Sequence, residues 1–193
     1  MPPLYLASAS PRRRMLLSQL GLSFTVIPPR LEEEGYLGGE PAGAVRLLAL
    51  AKARSAAEGL EAGLVIGADT VVVLEEEVMG KPSGPEEAGE MLRRLSGATH
   101  RVLTGVAVLN AADGEALVDH EETLVTFRRL RPEEIEAYVA SGEPLDKAGA
   151  YGVQGLGAVL VRRIEGCYFN VVGLPLARLA EMLAHFGVKV LGR

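Results

Sequence analysis

The sequence predicts a single α/β domain over residues 1–193. Three observations carry that expectation. Short apolar or alternating runs of strand length are interleaved with longer stretches of helical period. A chain of 193 residues suffices for one sizeable core. No apolar run reaches membrane-spanning length without a charge or a turn residue.

The first element is the short apolar strand starting at Leu4, which runs into a helix. Ser10 suits the N-cap and Pro11 the first helical position, where a missing N–H costs nothing. Leu16, Leu17 and Leu20 continue the apolar stripe, and Gly21 stands where the helix ends. The charge here is unusual, because Arg12, Arg13 and Arg14 oppose the positive end of the helix macrodipole. Free amides, the hydroxyls of Ser8 and Ser10 and these guanidinium groups read together as a phosphate cradle. The alternatives are a solvated basic turn or a twin-arginine export signal, and no uninterrupted apolar segment follows the arginines to support export.

Phe24 to Pro28 alternates as a second strand, followed by the acidic run Glu32, Glu33 and Glu34. That run is either solvated loop charge or the source of one carboxylate for a divalent cation. A helix from Pro41 to about Gly59 is largely apolar, and Lys52, seven residues after Val45, falls on its stripe. It either points inward or snorkels from the stripe's edge. Leu64 to Leu74 is the most hydrophobic stretch, and Asp69 interrupts it. A buried carboxylate is costly unless paired, so Asp69 is either a turn residue between two strands or a functional group.

Gly80-Lys81-Pro82 makes an extended entry to a helix from Pro85 to Leu95, with Glu86 and Glu87 in its first turn. His100 to Leu109 and Leu117 to Leu130 read as strands joined near Asp113-Gly114. Pro132 to Ser141 reads as a short helix stopped by Gly142. Residues 146–157 then form a glycine-rich loop carrying Asp146, Lys147, Tyr151 and Gln154, the mix expected of a loop wrapped close to a ligand. Its glycine order is not that of a dinucleotide-binding turn. Ala158 to Ile164 and Tyr168 to Val172 read as strands, and Leu174-Pro175 opens a last helix reaching Phe186.

Composition narrows the function. A net charge of −5 argues against broad binding to nucleic acid or to an anionic membrane, so a polyanion must meet a local basic pocket. The single cysteine, Cys167, excludes a disulfide framework within the chain, and no Cys/His spacing suits zinc. No signal peptide is visible, and the expectation is a soluble cytoplasmic protein. His100, His120 and His185 form no nucleophilic triad pattern. Basic elements at Arg12 to Arg14, Lys52 and Lys81, with isolated acids at Glu33, Asp69 and Asp146, suit a metal–polyphosphate ligand. Hydrolysis of a phosphoric anhydride needs cations on the phosphoryl oxygens and a carboxylate that orients or deprotonates water.

Five motifs also carry a resemblance: Leu6 to Arg13, Gly67-Ala68-Asp69-Thr70-Val71, Gly80-Lys81-Pro82, Leu95-Ser96-Gly97 and Asp146 to Gly155. Together, and in order through Val172-Gly173-Leu174-Pro175, the chain resembles the Maf family of nucleoside triphosphate pyrophosphatases. The resemblance implies a central mixed twisted sheet with helices on both sides and a two-lobed cleft, as in inosine triphosphate pyrophosphatases. It also implies a homodimer and, within the family, the branch acting on dTTP and UTP. Carried over, Asp69 is the proton acceptor for water attacking the α-phosphorus. Ser8, Ser10, Arg12, Arg13, Lys52, Lys81 and Lys147 hold the triphosphate. Glu33, or its neighbour Glu32 or Glu34, binds magnesium or manganese with Asp69 and Asp146. Arg13, Thr70 and Gln154 set base preference, and a Gln amide offers a pyrimidine edge both a donor and an acceptor. A non-catalytic nucleotide-binding regulator of septum formation is the alternative. An RNA-binding module fits poorly with 5% aromatic residues and an acidic balance.

Overall fold

The structure, a computed structural model, describes residues 1–31 and 39–192. The acidic run Glu32 to Glu34, and with it the metal ligand expected at Glu33, lies outside the described residues. The elements are β1 (Leu4–Ala7), α1 (Pro11–Gln19), β2 (Thr25–Val26), α2 (Pro41–Ala57), β3 (Leu64–Leu74), β4 (Glu77–Met79), α3 (Pro85–Leu95), β5 (Thr99–Asn110), β6 (Ala116–Phe127), α4 (Pro132–Ala140), β7 (Val161–Glu165), α5 (Tyr168–Val172) and α6 (Leu176–His185). Strand order is β2-β1-β3-β5-β6-β7, with β4 paired to β3. The sheet is mixed: β1 runs parallel to β2 and β3, whereas β3–β4 and β6–β7 are antiparallel. This is the α/β architecture that the sequence predicts. No described helix is long and apolar enough to cross a membrane.

The chain divides into two compact units, the first comprising Met1–Asp69, Thr104–Glu121 and Gly173–Arg193. In it, α2 lies on β1, β3 and β5 through Ala49, Ala53 and Ala56, which pack with Ala7, Val65, Ala107 and Leu109. Small residues make this approach possible. A Cβ at Gly67 of β3 would stand 2.1 Å from the Ala49 carbonyl oxygen, and one at Gly105 of β5 would stand 2.1 Å from that of Val45. Glycine is needed at both positions because the helix backbone itself fills the space. The second strand expected over Phe24 to Pro28 is reduced to Thr25–Val26.

The second unit comprises Thr70–Leu103 and Glu122–Val172. Its core joins Val72 and Leu74 of β3 to Ala88, Leu92 and Leu95 of α3, Val125 and Phe127 of β6, and Ile135 and Tyr138 of α4. The expected strand at Tyr168–Val172 is instead helix α5. Its aromatic and β-branched residues favour a strand locally, but a buried polar network overrides that preference. Asn170 Nδ2 donates to the Val102 carbonyl and to Thr123 Oγ1, each at 2.9 Å, while Thr123 Oγ1 also accepts from the Cys167 N–H at 3.0 Å. The strand expected from Ala158 begins only at Val161, because Gly155–Leu160 is a 3₁₀ turn, and β6 ends at Phe127 rather than Leu130.

Candidate active site

The first cluster of expected residues is built where β1 gives way to α1. Ser10 is extended (φ −64°, ψ 119°), caps the helix by accepting from the Arg13 N–H at 3.5 Å, and is followed by Pro11. Ser8, buried, accepts from the Ser10 N–H at 3.2 Å and from Arg13 Nη1 at 3.4 Å. Arg13 thus turns back over the helix start, and its Nε donates to the Gly173 carbonyl at 2.8 Å. Arg12 is half-buried beside it and Arg14 is exposed. No acidic residue stands in this first turn, so the amides, hydroxyls and guanidinium groups form an electropositive helix N-terminus.

The second cluster is a buried ion pair in the same unit. Lys52 Nζ donates to Asp69 Oδ1 at 2.7 Å, with the residues 6% and 8% exposed. Asp69 is not a turn residue: β3 is unbroken from Leu64 to Leu74. Lys52 points inward. The last β1–β3 pair is Ala7 with Gly67, so Asp69 lies two residues further along β3, on the Gly67 face, while the chain beyond Ala7 has left the sheet at Ser8. The close approach that Gly67 and Gly105 allow is what brings an α2 side chain to this carboxylate.

The remaining expected residues fall in the second unit. Thr70 follows Asp69 in β3 and is half-buried. Lys81 is exposed, and the Gly80 carbonyl before it accepts from the Gly149 N–H at 3.0 Å, which sets Gly80-Lys81-Pro82 beside the glycine-rich loop. In that loop Lys147 Nζ donates to Asp146 Oδ1 at 2.6 Å and to the Glu143 carbonyl at 2.5 Å. Gln154 is half-buried and precedes the 3₁₀ turn Gly155–Leu160. Among the described residues no group of three or more His, Cys, Asp or Glu side chains is placed to hold a metal.

Two features escaped the sequence reading. His100 is buried in β5, its Nε2 2.7 Å from the Tyr151 hydroxyl and its ring edge-on to Phe127 at 5.1 Å. Desolvation lowers its pKa to about 4. Its only local signal is a polar residue at the start of an apolar strand. Glu143 is the other: its carboxylate accepts from two loop amides and the Tyr138 hydroxyl. Nothing in local spacing marks it, because the amides belong to residues 13 and 14 positions later.

Comparison with known proteins places the chain in a family. The chain is 61% identical to the dTTP/UTP pyrophosphatase of Moorella thermoacetica over 193 residues, the whole of both chains. It is 55% identical to that of Pelotomaculum thermopropionicum over 99% of this chain and 100% of the relative. For the Symbiobacterium thermophilum dTTP/UTP pyrophosphatase the identity is 50%, over 98% of this chain and 97% of the relative. Among solved structures, the Staphylococcus aureus Ham1 protein shares the fold with a TM-score of 0.51 at 16% identity, over 82% of this chain and 79% of that one. Residues 3–186 match the family described as Maf-like protein, and with full-length relatives at this identity the chain belongs to that family.

Proposed function

We propose that this protein hydrolyses pyrimidine nucleoside triphosphates, dTTP and UTP foremost, to the monophosphate and pyrophosphate. The observation that carries the reading is the buried Lys52–Asp69 pair, in the same unit as the Ser8–Arg13 helix N-terminus. A carboxylate inside an apolar strand is costly to retain for packing alone, and it suits a base for water. The names of the full-length relatives support the choice of substrate.

In this reading Ser8, Ser10, Arg12 and Arg13 bind phosphoryl oxygens, with Lys81 and Lys147 as further cations. Lys52 supplies the counter-charge that Asp69 needs when buried, and orients the carboxylate through Oδ1. Asp69 accepts a proton from water as the water oxygen bonds to the α-phosphorus. The bond from that phosphorus to the bridging oxygen breaks, and the electron pair leaves with pyrophosphate. Thr70 and Gln154 read the base, together with Arg13.

A divalent cation fits the donor set in one respect. Magnesium commonly takes one or two carboxylates and completes its shell with water and substrate phosphates, so a dense protein cluster is not required. Asp69 would hold it, with Asp146 and Glu33 as the further ligands that the resemblance supports. When bound it would neutralise charge on the phosphoryl oxygens. The family resemblance also supports a homodimer acting in the cytoplasm.

The test is to incubate the purified protein with magnesium or manganese and each of dTTP, UTP, CTP, dATP and GTP, resolving pyrophosphate from phosphate. Monophosphate and pyrophosphate, chiefly from dTTP and UTP, are expected. Measurable nucleotide binding without turnover under any divalent cation would overturn the enzyme in favour of a nucleotide-binding regulator.

A further inference from the structure

Two side chains outside the phosphate-binding set grip both ends of the segment that carries Gln154. The Tyr138 hydroxyl, on α4, accepts from the Gly152 N–H at 3.1 Å and donates to Glu143 Oε1 at 2.9 Å. The same Oε1 accepts from the Gly157 N–H at 2.9 Å, and Oε2 accepts from the Leu156 N–H at 2.9 Å. Three donors therefore converge on one carboxylate, which is acceptor-only when ionised and can take them all. Burial raises the carboxyl pKa, but the bonds from Gly157, Leu156 and Tyr138, together with the Lys147 charge, outweigh it and leave the net shift downward.

The glycines of the loop are shaped to this grip. A Cβ at Gly155, where φ is +69°, would stand 2.6 Å from Glu143 Oε2. One at Gly157 would stand 2.2 Å from the Gly152 carbonyl oxygen and 2.6 Å from the Tyr138 hydroxyl. Lys147 is tied to the same residue through the Glu143 carbonyl.

We infer that Glu143, acting with Tyr138, is a positioning residue for base selection: it holds residues 152–157 in the one arc that presents Gln154 to the nucleobase. The inference rests on the pyrophosphatase reading above. It differs from a merely structural role in what it moves. General damage to the unit lowers turnover of every nucleotide alike, whereas a displaced Gln154 lowers the preference among bases.

The experiment compares wild type with Glu143→Gln and Tyr138→Phe. It reads kcat/KM for dTTP and for dGTP, and hydrogen exchange at the Leu156 and Gly157 amides. A glutamine cannot accept from all three donors, since one of its terminal atoms is itself a donor. The dTTP/dGTP ratio is expected to fall at least tenfold in Glu143→Gln and amide exchange to rise at least tenfold. Tyr138→Phe should show the same loss of ratio, and the double variant no more than the larger single effect, because the two act as one fixture. An active Glu143→Gln enzyme with an unchanged ratio overturns the inference. If Glu143→Gln does not fold, Tyr138→Phe decides by the same ratio. A wild type without turnover or base preference would sink the pyrophosphatase reading instead. Amide exchange then judges the clamp separately, unchanged rates overturning it and faster rates supporting it.

Discussion

Lys52 Nζ and Asp69 Oδ1 are 2.7 Å apart, and the two side chains are only 7% and 11% exposed. The pair joins the middle of α2 to the middle of β3, on a helix whose Ala49 and Ala53 pack into the apolar core of the first unit. Breaking a buried pair leaves one uncompensated charge, and that loss is larger than the net worth of the pair.

Lys52→Met is therefore expected to destabilise the fold by about 3–5 kcal/mol, since Asp69 stays behind without its counter-charge. The double variant Lys52→Met/Asp69→Asn should recover a large part of that loss, because the stranded charge has gone. Urea unfolding of the three proteins measures both. A single variant within error of wild type would mean that the pair is not buried in solution and that its loss strands no charge.

Asp69→Asn addresses chemistry rather than stability. An amide keeps the shape and can still accept from Lys52, but it cannot take a proton from water. Turnover is expected to fall about 10²–10⁴-fold, the usual worth of a positioned base. Nucleotide affinity, measured by calorimetry, should remain. Full activity in this variant removes Asp69 from the mechanism.

Gly67→Ala tests the approach that creates the pair. The new Cβ would begin 2.1 Å from the Ala49 carbonyl oxygen, a backbone atom that cannot rotate away. Helix α2 must shift, and overpacking of this kind costs about 1–3 kcal/mol. Activity should fall more than stability explains, because the shift also carries Lys52 off Asp69. A variant that loses stability but keeps its kcat would uncouple helix placement from the site.

How much of this was legible in the sequence depends on where each residue's reason lies. Ser10 and Pro11 act on their own helix, and the local pattern sufficed. Asp69 stood out because an apolar run should not contain it, and Lys52 because it falls on the stripe that begins at Val45. That these two meet was not legible, since it depends on Gly67 and Gly105 clearing space for another element's backbone. Tyr168 to Val172 departs from its local signal for the same reason: its preference is for a strand, and Asn170 answers to Val102 and Thr123, far away in the chain. The glycines near residue 155 suggested a ligand, yet at least two of them answer to Glu143 and Tyr138.

His100 predicts an acid weakness independent of the catalytic groups. Burial lowers its pKa from 6.5 to about 4, with the ring wedged against Phe127 and Tyr151. Below pH 6.5 the unfolded chain therefore binds a proton that the folded protein resists. The resulting stabilisation is complete above about pH 6.5, is lost as pH falls, and is exhausted below about pH 4. The full span is on the order of 3 kcal/mol, of which about 2 kcal/mol is gone by pH 5. His100→Gln cannot titrate, and its amide can still meet the Tyr151 hydroxyl. Urea unfolding at pH 7.5 and pH 5 should show wild type losing about 2 kcal/mol more than the variant between the two conditions. Equal losses would mean that His100 is protonated with little penalty, and that the Tyr151 pocket admits water.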